Sequence, residues 1–129
     1  MVIDTSAIVA ILRGEPEADR FQQSIAAAPQ RRLSAATLLE CRIVAANLGI
    51  ASELDAWLAA AAIMIEPFTA DQCRLAEGGF LAFGKGRHPA GLNFGDCFAY
   101  ALAKQTGEPL LYKGDDFSQT DIVASSPIG

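Results

Sequence analysis

Four stretches of this chain place acidic residues where chemistry could use them. Asp4 follows the apolar run Met1-Val2-Ile3, and Glu40 stands inside Leu38-Leu39-Glu40-Cys41. Asp96 follows Asn93-Phe94-Gly95, and the pair Asp115-Asp116 follows Leu110-Leu111-Tyr112. A carboxylate among apolar neighbours is costly unless partnered. Each has a plain structural role open to it. Asp4 can cap the next helix, and Glu40 can pair with Arg31 or Arg42. Asp96 suits the first turn of a helix, and Asp115-Asp116 suits a turn. A shared task is favoured because Asp4 and the Asp115-Asp116 pair each follow a strand, and parallel strands converge on one edge of their sheet. Several carboxylates gathered there cannot all stay ionised without compensating cations, and an all-oxygen donor set selects Mg²⁺ or Mn²⁺. Such a site fits phosphodiester hydrolysis, in which the cation activates water and neutralises developing charge.

Other chemistries find no support. His88 is the one histidine and the three cysteines are scattered, so no zinc site is indicated. No Ser–His pair or phosphate-binding loop is evident, and Gly84 to Gly91 fits no dinucleotide fingerprint. Asp4-Thr5-Ser6 lacks the second aspartate of a dehalogenase-type phosphatase, and no aspartate ends Ile63-Ile65 as a phosphoryl acceptor would.

The elements that must position these acids follow from periodicity. Met1 to Ile3 is a short buried strand, with Thr5 and Ser6 as N-caps for the helix carrying Ile8, Ile11 and Leu12. After Gly14-Glu15-Pro16, the helical spacing of Ala18, Phe21, Ile25 and Ala28 runs to Pro29. Arg31 to Leu33 is a strand, and Ser34 caps a long helix whose shared face is Ala35, Leu38, Leu39, Ile43, Val44 and Leu48, closed by Gly49. Ser52 to Ala62 is helical and Ile63 to Ile65 a second buried strand. Thr69 caps a helix over 70–81 with Cys73, Ala76 and Phe80 in phase. Residues 84–91 form an irregular loop, Phe94 to Thr106 a helix ended by Gly107, and Leu110 to Tyr112 another strand, with a last one at Ile122 to Ala124. Helices between short apolar strands predict a three-layer α/β/α sandwich around a mostly parallel sheet, in a single domain over 1–129.

Composition sets bounds. Hydrophobic residues make up 51% of the 129, yet no apolar run is long enough for a membrane span. The excess suits a dimer or protein partner. With no secretory signal and three cysteines reading as small core residues, the chain is expected in a reducing cytoplasm. A net charge of −5 opposes a general nucleic-acid surface, but clustered site carboxylates neutralised by cations account for part of it.

In order and spacing, MVIDTSA, Leu38-Leu39-Glu40, Leu92-Asn93-Phe94-Gly95-Asp96-Cys97 and Leu110 to Phe117 resemble the PIN domain, and within it VapC-type toxins of type II toxin–antitoxin systems. The resemblance covers essentially the whole chain. It implies a Mg²⁺- or Mn²⁺-dependent endoribonuclease that inhibits translation by cutting tRNA or rRNA. It also implies a homodimer held in check by a VapB-like antitoxin in the active-site groove, with DNA met only through that antitoxin. Residue by residue, Asp4 and Asp96 match metal ligands and Glu40 the helix acid. Asp116, or Asp115 shifted by one, matches the fourth, because Gly114 stands where many members carry it. Thr5, Ser6 and Asn93 match polar residues that brace the site. Lys85, Arg87 and His88 concentrate positive charge before Asp96 for RNA phosphates, with Arg31, Arg32 and Lys113 as further candidates. The competing expectation is a catalytically silent module of the same fold that acts only through its antitoxin.

Overall fold

The computed structural model describes residues 1–125. Strands β1 (Val2–Ile3), β2 (Arg32–Ser34), β3 (Met64–Glu66) and β4 (Leu110–Leu111) form one parallel sheet in the order β3-β2-β1-β4. Val2 lies beside Leu110 and Ile3 beside Leu111, so successive side chains face opposite layers. Ile3, Leu33 and Leu111 pack under α1 (Thr5–Leu12), α2 (Ala18–Ala27), α3 (Ala35–Leu48) and α4 (Ala51–Ala60). Val2 and Leu110 pack on the other face with Tyr100 and Leu102 of α6 (Phe94–Thr106), against which α5 (Ala70–Phe83) lies. The three-layer architecture expected from the sequence is present. Among the described residues, no helix is long and apolar enough to cross a membrane.

Local signals set the boundaries of these helices. The Ser34 hydroxyl accepts the Ala36 N–H and the Thr69 hydroxyl the Gln72 N–H, while Gly49 and Gly107 close α3 and α6 in the left-handed region, at φ 73° and 70°. Of the caps the sequence offers for α1, the structure uses Asp4 and not Thr5 or Ser6.

Three readings of burial and one of a strand are overturned. The face of α3 that enters the core is Thr37, Cys41 and Ala45, small residues that let neighbouring elements approach closely. Leu39, Ile43 and Leu48 point to solvent, 61%, 54% and 41% exposed. Among the described residues β3 is an edge strand, and its Met64 and Ile65 are exposed. Cys73 is exposed, whereas Cys41 and Cys97 are buried. Residues 122–124 form no strand; Ala124 makes a single bridge to Leu110.

Two arginines also have structural posts. The Arg31 guanidinium donates to the Ile25 carbonyl at 2.7 Å and the Ala61 carbonyl at 2.8 Å, tying the ends of α2 and α4 together. Arg32 pairs with Glu66 at 2.5 Å and Glu108 at 2.6 Å. Both guanidinium groups are committed to the scaffold.

Candidate active site

β1 stops at Ile3, and Asp4 turns the chain into α1 with its own carboxylate as cap. Oδ2 accepts the Ser6 N–H at 3.1 Å and the Ser6 hydroxyl at 2.6 Å. Ser6 Oγ in turn accepts the Lys113 N–H at 2.9 Å, joining the ends of β1 and β4. Asp4 Oδ1 is different: it is buried and has no hydrogen-bond partner. One oxygen thus caps the helix and the other is left over. Burial pushes the carboxyl up to about 6, against the hydrogen bonds from Ser6 and helped by the charge of Glu40.

Glu40 reaches the same place from α3. Thr5 Oγ1 donates to its Oε1 at 2.6 Å. Neither arginine considered for it is a partner, since Arg42 pairs with Asp55 at 2.6 Å and Arg31 with carbonyls. The other carboxylate oxygen lies against Gly95, where a Cβ would fall 1.7 Å from Glu40 Oε2. A side chain at position 95 would have to push the Glu40 carboxylate aside, and sequence reasoning gave Gly95 no role. Its one signal was a glycine in the first turn of a helix, where that residue is otherwise unfavourable.

Asp96 is fixed by a reciprocal cap at the start of α6. Its N–H donates to Asn93 Oδ1 at 2.9 Å, and its Oδ2 accepts the Asn93 N–H at 3.0 Å. Its carboxyl is pushed up to about 7, first by burial, against the Asn93 N–H, and further by the carboxylates of Asp4 and Asp116. Asp116 therefore joins the cluster. Burial, and then the charge of Asp115, raises the Tyr112 hydroxyl.

The basic candidates separate. Lys113 is paired with Glu15 at 2.5 Å and Glu17 at 3.0 Å. The 84–91 loop is pinned at its base by the Gly84–Leu92 bridge, next to Asn93. His88 is committed to that loop, accepting the Ala90 N–H on Nδ1 and packing edge-on against Phe83. Lys85 and Arg87 are exposed and, among the described residues, enter no ion pair; Arg87 lies over the Phe80 ring.

Among the described residues, no three of these groups are drawn together tightly enough to form a finished ligand cage. The donor set nonetheless fits a hard divalent cation. It is all oxygen, it holds more negative charge than the cluster tolerates, and Asp4 Oδ1 is a buried acceptor with nothing to accept.

The PIN domain family matches residues 1–123. Ribonuclease VapC30 of Mycobacterium tuberculosis is 50% identical over 125 residues, covering 95% of each chain. Ribonuclease VapC of Mycolicibacterium smegmatis is 49% identical over 127 residues, covering 96% of this chain and 98% of its own. This chain belongs to the PIN-domain family, among the VapC ribonucleases. The fold of this PIN domain is shared with crystalline VapC20 of Mycobacterium tuberculosis, a sarcin-ricin loop cleaving toxin, at a TM-score of 0.77 and 21% identity over 98% of both chains. It is also shared with a chain of a toxin–antitoxin complex from Klebsiella pneumoniae, at a TM-score of 0.73 and 19% identity over 98% of both chains.

The acid cluster makes the stability of this PIN domain depend on pH. Asp4 titrates near 3.8 when unfolded and about 6 when folded, so between these values the folded state holds the extra proton. Stability of the cation-free protein therefore falls as pH rises through that window, by about 3 kcal/mol from Asp4 alone. Asp96 extends the fall towards 7. Urea unfolding in chelator at pH 5 and pH 7.5 should show this, with Mn²⁺ restoring stability at pH 7.5 and Asp4→Asn flattening the slope. A protein equally stable at both pH values would contradict it. Gly95→Ala must displace Glu40 and should weaken the Mn²⁺-induced rise in melting temperature, corresponding to about a tenfold loss of cation affinity. A rise as large as in the unsubstituted protein would mean that Glu40's place does not matter.

Proposed function

We propose that this protein is a divalent-metal-dependent endoribonuclease, the toxin of a VapBC-type module, acting in the cytoplasm on tRNA or rRNA to inhibit translation. The observation that carries this is Asp4, whose buried Oδ1 lacks a partner in the midst of Glu40, Asp96 and Asp116. Asp4 and Asp96 would hold Mg²⁺ or Mn²⁺, with Glu40 and Asp116 completing the donor set. A cation bound there supplies water activation and neutralises charge on the phosphate. The chain's own groups do the rest. Ser6 and Thr5 fix the carboxylates of Asp4 and Glu40, and Asn93 orients Asp96. Lys85 and Arg87, at the rim beside Asn93, hold RNA phosphates. His88 serves the loop instead, because its Nδ1 is already engaged.

Partner binding has a place beside these acids. A groove of about 450 Å³ runs along Leu39, Ile43, Val44, Phe94 and Phe98 and ends at Glu40. Phe94, 81% exposed, forms its wall. A VapB-like antitoxin segment with apolar side chains and a terminal cation matches both the groove and its acidic end. The toxin is proposed to act as a homodimer and to meet DNA only through that antitoxin. The Klebsiella pneumoniae structure, a toxin–antitoxin complex, is in keeping with such a partner.

Inducible expression of the unsubstituted chain should arrest growth and yield discrete RNA fragments. Asp4→Asn and Asp96→Asn should abolish both, and purified variants with Mn²⁺ should lose at least about a hundredfold in cleavage rate. Arrest that persists in both variants would favour a silent module working through its partner. Separately, Lys85→Ala and Arg87→Ala should each weaken RNA binding and reduce the dependence of log affinity on log salt by roughly one. Unchanged salt dependence would remove this loop from the RNA-binding surface.

A further inference from the structure

Phe94 and Phe98 of α6 line two grooves, the one along α3 that ends at Glu40 and a second, of about 540 Å³, against α5. The second is walled by Phe68, Phe80, Phe94 and Phe98, with Cys73 and Glu77 of α5 along its side. Its rings meet edge to face. Phe94 and Phe68 each stand nearly perpendicular to Phe98, with centroids 4.9 and 5.1 Å away. Phe94 adds little to the core, since most of its ring is exposed. Its chain neighbour Gly95 lies against the Glu40 carboxylate, so the ring stands next to the acidic end of the other groove. The Arg87 guanidinium reaches this second groove from the loop before α6, lying 5.7 Å from the centre of the Phe80 ring. Among the described residues, neither Arg87 nor Lys85 enters an ion pair.

We propose that the α5–α6 groove is a nucleobase subsite, in which one unpaired base of the RNA stacks on Phe94 while Arg87 holds the adjoining phosphate. This deepens the nuclease reading above and rests on it. Aromatic walls beside free cations suit single-stranded RNA, because every base has a face to stack and every link carries a phosphate. An apolar peptide segment would use the rings and leave both cations without a counter-charge. RNA uses both. Glu77 carries only acceptors, and it matches the exocyclic amino group of a base rather than a phosphate.

The test uses the purified full chain in chelator, with a single-stranded oligoribonucleotide carrying one fluorescent purine analogue whose emission falls on stacking. The unsubstituted chain should quench it, and should bind an oligonucleotide abasic at that position about tenfold more weakly. Phe94→Leu should lose about tenfold in affinity and most of the quenching, while Phe94→Trp keeps both. Cys73 lines this groove and not the one along α3. Cys73→Trp should therefore fill the subsite and match Phe94→Leu, which keeps the proposal testable if Phe94→Leu does not fold. Bound RNA should also slow alkylation of Cys73, the exposed cysteine, and the abasic oligonucleotide should slow it less. Equal affinity for the intact and abasic oligonucleotides, or unchanged affinity in both variants, overturns the subsite. So does a dimer in solution that Phe94→Leu dissociates with RNA affinity unchanged, which would assign the groove to a second copy. Cleavage of RNA by the unsubstituted chain with Mn²⁺ confines any such failure to the subsite. A chain that neither binds nor cuts RNA overturns the nuclease reading and the subsite with it.

Discussion

Holding like charges together away from water is the constraint on which this molecule turns. Asp4 is 4% exposed, has one oxygen satisfied by Ser6 and one by nothing, and has Glu40 and Asp96 for neighbours. In a scaffold free to relax, the carboxylates would swing to solvent and the strain would vanish. They cannot, because each is held by a short, specific hydrogen bond: Ser6 to Asp4, Thr5 to Glu40, Asn93 to Asp96. The restraint is local and polar, and the apolar layers behind it only need to keep the strand and helix ends in register.

That register comes from very little regular structure. β1 and β4 are two residues each, yet both are fully enclosed between helical layers, and the Ser6–Lys113 bond locks their ends. α3 and α6 meet so closely that the Glu40 carboxylate takes the space of a side chain on Gly95. Leu39, Ile43 and Phe94 face outward from the same two helices, so the surface next to the acids is greasy as well as negative. Such a surface is poorly satisfied by water and well suited to a partner that brings both carbon and positive charge.

Much of this was legible in the residues. Acids after each of two apolar strand runs put Asp4 and the Asp115-Asp116 pair beyond the ends of two parallel strands, and Ser34, Thr69, Gly49 and Gly107 marked helix ends where they lie. The face of α3 was not legible, because periodicity finds an apolar stripe without saying whether the chain or another molecule covers it. The core instead takes the less conspicuous Thr37, Cys41 and Ala45. The exposure of Ile65 depends on β3 being an edge, a fact of strand order rather than of composition. The partners of Arg32 and Lys113 lie dozens of residues away in sequence. Gly95 was visible only as an ill-placed glycine until Glu40 was seen lying on it.

The four clustered acids lie at positions 4, 40, 96 and 116, spread over nearly the whole chain. β1, which bears the first, has β4 on one side, and β4 begins only at Leu110. The stretch from Leu110 to Asp116 therefore supplies both the second neighbour of β1 and the last of these carboxylates, so a fragment cut before it lacks the strand and the acid together.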